Sequence, residues 1–378
     1  MGLFGGKTTR FLGVDIGSAS IKITELENNK GEPWLKNYGF AEKILHNESN
    51  RTDDVINQSA DIIKKISRKA GFGTNDAVAA LHNFDVFTSI LNLPHVSTEE
   101  VEEIVKVEAR KFVPIPLEDV VIDWKRVTDP LSNTQAVNQQ GVKDKNRRDK
   151  KDSVTTLGES KDKGMDILLT AAPRKLIRRY VDIFKAAELN LLSLETESFA
   201  FIRALLDTHD TTSVMVIDFG AVATDIIIVE NQIPVIIRSV DVGGSSITSA
   251  IERNLTISRQ RAEQFKRDIG FKGTQTSESE VIIQLIEATF APVVNEINYS
   301  IDLYKSRNRV LEKIIITGGS AYLQGLTNFL KATFGLPVFI GDPWHKVTYP
   351  EKIKTTLEGI GPMFTVSIGL ALKEIIEK

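Results

Sequence analysis

The 378-residue chain has no cysteine, so disulfides and thiolate metal sites are excluded, and a reducing compartment is compatible with the composition. Its five histidines are scattered without metal-ligand spacing. A Walker A loop and a nucleophile elbow are both absent. Neither charge sign dominates: the formal net charge of −3 gives no electrostatic footing for nucleic acid or an anionic membrane. No uninterrupted apolar run reaches the ~18–20 residues that span a bilayer. The opening Met1-Gly-Leu-Phe-Gly-Gly-Lys7 lacks the apolar segment of a signal peptide, so the expected location is cytoplasmic, with any membrane contact made through a partner. What remains, 42% hydrophobic and 26% charged residues, describes a globular protein, and the length predicts two domains or a two-lobed body.

One pattern occurs twice. The first copy reads Phe11-Leu-Gly-Val-Asp15-Ile-Gly17-Ser18-Ala-Ser20-Ile-Lys22, and the second Val214-Met-Val-Ile-Asp218-Phe-Gly220-Ala-Val-Ala-Thr224-Asp225. Each is an apolar strand run ending in Asp-x-Gly, then small or hydroxyl residues, then a second β-rich run. A buried strand carries a carboxylate to its tip, and glycine permits a tight turn presenting backbone N–H groups. Two such hairpins facing each other across a cleft would clamp a polyphosphate and its metal ion.

The surroundings repeat as well. Three β-rich runs open the chain (11–14, 21–27 and 34–41, with Asn28-Asn-Lys-Gly31 as a hairpin turn), and three recur at 214–218, 225–230 and 233–240. Helical periodicity predicts helices over 53–69, 175–189, 196–206, 245–269, 280–306, 326–334 and 364–376, with buried strands at 77–81 and 314–317. Ser97 and Glu100 form a capping box opening a helix to about Lys111, which Val113-Pro-Ile-Pro116 ends. Residues 128–164 read as a solvated charged loop, because acids interleave with the bases and no aromatic offers a stacking surface. Strands alternating with helices in two matched halves predict layered α/β lobes.

Several residues are candidates for nucleotide binding. Ser18, Ser20 and Lys22 follow the first Asp-x-Gly and suit phosphate oxygens; Thr224 follows the second. Asp15 and Asp218 are candidates to hold Mg²⁺ through its waters, since that ion gives up its hydration reluctantly. Gly318-Gly319-Ser320 ends a buried strand and leaves room for an adenine or ribose. Glu263 and Lys266 share a helix face and either reach the nucleoside or form a solvated i,i+3 ion pair. Glu197, at a predicted helix start, is the candidate for orienting a hydrolytic water, and also simply favours the helix dipole there.

Together these elements resemble the actin/Hsp70/sugar-kinase superfamily of two-lobed, ribonuclease H-like nucleotide-binding folds. Within it the chain is similar to the PilM family. The similarity is carried by Leu93-Pro-His-Val-Ser97 through Glu108-x-x-x-Phe112-Val-Pro-Ile-Pro-Leu-Glu-Asp119, by Asp342-Pro-Trp344, and by Ile360-Gly-Pro-x-Phe-x-x-x-Ile-Gly-Leu-Ala-Leu372. This resemblance implies a first lobe over 1–92 and 173–210 closed by 360–378, an inserted subdomain over 93–172, and a second lobe over 211–359 with a helical part near 245–310. It further implies binding of ATP with Mg²⁺ and of the cytoplasmic N-terminal peptide of a PilN-like inner-membrane protein. The FtsA branch implies instead a filament-forming division protein with self-association and an amphipathic tail helix. Ending at Lys378, straight after a body-like helix, fits the PilM expectation better. A sugar-kinase-like phosphotransferase is the third alternative, for which no catalytic aspartate is evident.

Overall fold

The computed structural model describes residues 9–43, 52–93, 98–113, 115–127, 165–272 and 277–377. Ser97 of the expected capping box, Pro114 and the charged segment 128–164 lie outside the described residues.

The chain forms two compact units, one of Met1–Val86 with Ala172–Lys378 and one of Phe87–Ala171. The larger unit holds two five-stranded sheets of the same design. In the first, β1 (Thr9–Ile16), β2 (Ser20–Asn29) and β3 (Glu32–Glu42) make an antiparallel meander. Then β4 (Asp76–Leu81) and β8 (Asn190–Thr196) continue parallel to β1, giving the order β3-β2-β1-β4-β8. The second sheet repeats this with β9 (Val214–Phe219), β10 (Thr224–Glu230), β11 (Ile233–Val240), β12 (Lys313–Thr317) and β13 (Val338–Ile340), in the order β11-β10-β9-β12-β13. The duplication read from the Asp-x-Gly pattern is therefore a duplication of whole sheets. The turn at 28–31 forms as its residues predict: Gly31 has φ +94°, and its N–H donates to Asn28 Oδ1 at 2.7 Å.

Each central strand is buried on both faces and so reads as a continuous apolar run rather than an alternating one. One face of the first sheet packs on α1 (Thr52–Ala70) and α3 (Arg174–Ala186) through Ile63, Ile66, Ile183 and Phe184. One face of the second packs on α5 (Gly244–Leu255), α6 (Arg259–Ile269), α7 (Ser277–Lys305) and α8 (Leu326–Phe334). The stretch expected as one helical region at 245–269 is two helices, because Thr256 takes a left-handed φ of +50° and Ser258 caps the second by accepting from Arg261 N–H.

The third core lies among α4 (Glu197–Leu205), α9 (Lys354–Ile376) and apolar residues of both sheets, including Phe11, Leu26, Val216 and Ile227. Helix α9 reaches both sheets with small polar residues: Ser367 pairs with Thr24 of β2 (2.8 Å) and Thr365 with Thr317 of β12 (2.6 Å). It begins ten residues earlier than the periodicity predicts and continues through Pro362. Proline leaves the carbonyl four residues back without its helical partner; here that carbonyl, on Glu358, accepts the Tyr322 hydroxyl at 2.5 Å. The stretch Glu351–Ile376 is, among the described residues, long and apolar enough to cross a membrane by length and composition, its most apolar 18 residues having a mean hydropathy of 1.4, yet 67% of those are buried inside the fold. Interspersed glycine, serine and threonine hide it from a count of uninterrupted apolar residues.

The smaller unit contains β5 (Phe87–Leu93), β6 (Val120–Val127) and most of β7 (Met165–Pro173) in the order β5-β7-β6, packed against α2 (Thr98–Phe112) through Val101, Val105 and Ala109.

Candidate functional site

The two Asp-x-Gly turns have the same length. Ile16 faces Ile21 across the first, and Phe219 faces Thr224 across the second. Neither Gly17 nor Gly220 has a positive φ. Their role is close approach: a Cβ would stand 3.0 Å from the Ser20 carbonyl at the first turn and 2.8 Å from the Ala223 carbonyl at the second. One rung further in, the hairpins diverge. Asp15 faces Lys22, whereas Asp218 faces Asp225.

Lys22 Nζ donates to Asp15 Oδ2 at 2.9 Å. Burial works against the ammonium, but Asp15, with smaller contributions from Asp218 and Glu197, outweighs it and holds Lys22 above the ordinary lysine value. One cation thus feels carboxylates from β1, β9 and α4, so both hairpins and the α4 start face the same space. Ser18 is exposed and Ser20 half-buried, and neither hydroxyl has a hydrogen-bond partner among the described residues.

Across the cleft the charge is of the opposite kind. Burial, then Asp225 and Glu197, raise Asp218 well above the ordinary carboxylate range, and it has no hydrogen-bond partner among the described residues. Burial and Glu197 push Asp225 up to about 6, although it accepts from the Ser239 hydroxyl and from Asn83 Nδ2 at 3.0 Å. Asn83, just beyond β4, also accepts from Ser198 N–H (3.3 Å) and Oγ (2.7 Å), so it joins β4, α4 and β10. Glu197 is 6% exposed, with Oε1 2.7 Å from His82 Nδ1 and Oε2 accepting the Asn83 backbone N–H at 3.2 Å. His82 Nε2 lies 3.1 Å from the Ile16 carbonyl, next to Asp15.

The third glycine element sits against the second hairpin. Gly318 has φ +91°, and a Cβ there would stand 2.2 Å from Asp218 Oδ1; at Gly319 a Cβ would meet open space. A Cβ on Gly244, at the start of α5, would stand 2.6 Å from Ser320 Oγ and 3.2 Å from Lys266 Nζ. Lys266 and Glu263 are not a solvated pair. Lys266 is 5% exposed, and its ammonium donates to Glu263 Oε2 (2.7 Å), Thr248 Oγ1 (3.0 Å) and the Gly244 carbonyl (3.1 Å). Although burial opposes it, the bonds from Lys266, Thr248 and Arg267 bring Glu263 down to about 2.

The expected residues therefore fall into two groups: Asp15, Gly17, Ser18, Ser20 and Lys22 with Glu197 and Asp218, and Gly220, Gly318, Gly319 and Ser320 with Glu263 and Lys266. Thr224 differs. It is fully buried and its hydroxyl donates to the Val242 carbonyl at 2.6 Å, so it braces the turn from behind. Sequence reasoning passed over Asp225, His82, Asn83 and Ser198. Asp225 was legible from spacing alone, since it follows Asp218 by the same interval that separates Lys22 from Asp15. Among the described residues no three Asp, Glu or His side chains form a metal cage.

Two sheets of one topology, each delivering an Asp-x-Gly hairpin to a shared cleft and joined by two core helices, define an actin-like two-lobed protein. The chain belongs to the family of the type IV pilus assembly protein PilM, whose model matches residues 13–157 and 152–375. It is similar to a chain of the PilM–PilN type IV pilus biogenesis complex at 25% identity and a TM-score of 0.77, covering 97% of this chain and 98% of that one. The ethanolamine utilization protein EutJ from Carboxydothermus hydrogenoformans shares the fold at 15% identity and a TM-score of 0.51, over 96% and 89% of the two chains. The cell division protein FtsA of Streptococcus pneumoniae is 22% identical over 368 residues, 87% of this chain and 74% of that protein.

Proposed function

We propose that this chain is an ATP-binding scaffold of type IV pilus assembly that docks the cytoplasmic N-terminal peptide of a PilN-like inner-membrane protein and is held at the membrane's inner face by it. The observation that carries the nucleotide part is the shared cleft, where Lys22 and the Ser18 and Ser20 hydroxyls stand on one side and Asp218 on the other, the hydroxyls and Asp218 having no hydrogen-bond partner among the described residues. The donor set fits the ligand. Gly17, Ser18, Ser20, Lys22 and Gly220 would hold phosphates, and Gly318, Gly319 and Ser320 would border the nucleoside. Lys266 and Glu263 would support that border from behind. Asp15 and Asp218 would hold Mg²⁺ through its waters, since that ion gives up its hydration reluctantly. When bound, the metal would neutralise phosphate charge. The peptide part rests on family membership and on the similarity to the PilM–PilN complex. In this reading 1–92, 173–210 and 360–378 form the first lobe, 211–359 the second, and 93–172 the insertion.

Calorimetric titration tests the two parts separately. ATP should bind in the presence of Mg²⁺ and not in its absence, and an Asp15→Ala/Asp218→Ala double variant should not bind it. Unchanged binding in that variant would sink the site assignment. A synthetic peptide with the N-terminal sequence of the neighbouring PilN-like protein should bind; its failure would remove the pilus reading and leave the nucleotide site standing. Sedimentable filaments formed with ATP would favour the FtsA-like alternative that the 22% identity keeps in view.

A further inference from the structure

We propose that His82 is a positioning residue, doubly protonated and clamped between the first phosphate hairpin and Glu197, which holds that carboxylate so that bound ATP is retained rather than turned over quickly. The proposal rests on reading the cleft as an ATP site.

The argument starts from hydrogen-bond polarity. A neutral imidazole has one N–H and one bare lone pair. Around His82 the two ring nitrogens face oxygens: Glu197 Oε1 at 2.7 Å from Nδ1 and the Ile16 backbone carbonyl, which only accepts, at 3.1 Å from Nε2. With Glu197 as a carboxylate, either neutral tautomer would set a lone pair against an acceptor, so the geometry favours a proton on both nitrogens. The surroundings agree. Asp15 from β1, Asp85 from the turn after β4, and Glu197 from α4 all face the ring with negative charge, and Asp225 of β10 feels the ring's positive charge in turn. Led by Glu197 and against the cost of burial, they raise His82 to about 9.

The consequence falls on Glu197. In ATP hydrolysis a water oxygen bonds the terminal phosphorus while the bond to the ADP oxygen breaks, and the water's proton must pass to a carboxylate or to solvent. Glu197 has Oε1 occupied by the imidazolium and Oε2 by the Asn83 N–H. Its remaining lone pairs can orient a water, but both oxygens are already held in place, so the carboxylate cannot swing to follow the water's proton. The same clamp ties the tip of β1, beside Asp15, to the first residue of α4, so the hairpin and the carboxylate move together.

Two measurements on the full chain test this. In nucleotide-free protein carrying ¹⁵N-labelled histidine, the His82 ring should show both nitrogens protonated at pH 7.5 and titrate near pH 9; a neutral tautomer at pH 7.5 overturns the proposal, whatever the variants do. In turnover assays with Mg²⁺, His82→Gln, which cannot donate to both oxygens, should hydrolyse ATP about tenfold faster at little-changed Kd, a small part of the 10²–10⁴-fold range of a positioned acid–base group. Adding Glu197→Gln should abolish that gain. A folded His82→Gln that binds ATP and hydrolyses it no faster would also overturn it. Absence of ATP binding in the wild-type chain would fall on the nucleotide site instead.

Discussion

Replacing Asp225 with asparagine should make this protein more stable at neutral pH, by a gain that shrinks as the pH falls towards about 4. Asp225 is 9% exposed, and burial together with Glu197 raises it to about 6, against an ordinary 3.8. Folding therefore tightens proton binding at this group. The stability it contributes is complete below pH 3.8 and is lost as pH rises through 6. A gap of roughly two pKa units at about 1.4 kcal/mol each puts the cost of carrying the ionised group in the fold at up to about 3 kcal/mol above pH 6. Asparagine is nearly isosteric. Its carbonyl can still accept from Asn83 Nδ2, and its amide can donate to the Ser239 oxygen, so the two hydrogen bonds seen at Asp225 are kept in altered polarity. Neutral bonds are weaker than charge-assisted ones, so the net gain should fall between about 1 and 3 kcal/mol. Urea melts in metal-free, nucleotide-free buffer at pH 5 and pH 8 would measure it, with equal m-values required for the comparison. The difference between variant and wild type should be about half its full size at pH 5 and complete by pH 8. A variant destabilised equally at both, or stabilised equally at both, would refute the assignment of an energetic cost to ionised Asp225, buried beside Glu197.

Two further outcomes concern the helix between the sheets. A Cβ on Gly13 would stand 1.8 Å from the Ser367 carbonyl and 2.6 Å from Ala371 N, both backbone atoms of α9, so Gly13→Ala should cost at least about 3 kcal/mol by thermal melt. Gly359→Ala, in the same helix but meeting nothing within 4 Å, should instead stabilise by about 0.5–1 kcal/mol, and a matched loss at both positions would show that packing is not the cause. Arg203 bonds both oxygens of Glu195 (2.7 and 3.0 Å), Glu377 and the Gly369 carbonyl. Arg203→Met should cost about 3 kcal/mol in denaturant melts, and adding Glu195→Gln should recover part of it; no recovery would place the loss in packing rather than charge.

The sheets were legible because their central strands are buried on both faces, leaving unmistakable apolar runs, and because the Asp-x-Gly pattern returned with the same meander behind it. Helix α9 was only half legible: Gly359, Gly361 and Pro362 before Phe364 look like loop, while the close approaches that seat the helix, Ser367 and Ala371 against Gly13 and Gly369 against Ala200, lie beyond Phe364. The site was legible where chemistry is local to a hairpin. It was not legible where the partners are remote in sequence. His82 meets Glu197 across 115 positions and Asn83 meets Asp225 across 142, and nothing in either neighbourhood marks the pairing. The Lys266–Glu263 pair shows the converse. Its i,i+3 spacing was plain, but its burial against α5 depends on Gly244 having no side chain.

The two hairpins are copies whose difference carries the function. In the first lobe the rung inside the turn sets Asp15 against Lys22, and the pair neutralises itself. In the second the same rung sets Asp218 against Asp225, and the repulsion is left standing. Carboxylates are in surplus on that side, where Asp218 and Asp225 face each other with Glu197 nearby, whereas Lys22 and Lys43 stand beside Asp15. A bare polyphosphate would be repelled by that surplus, whereas a polyphosphate carrying a divalent cation brings the compensating charge to the side where it is lacking. The lobe holding Lys22 can meet phosphate without help; the lobe holding the paired acids gains only when the cation arrives. On the proposed nucleotide reading, binding would stabilise the two lobes together more than either alone, which is the differential affinity that closure of the cleft would require.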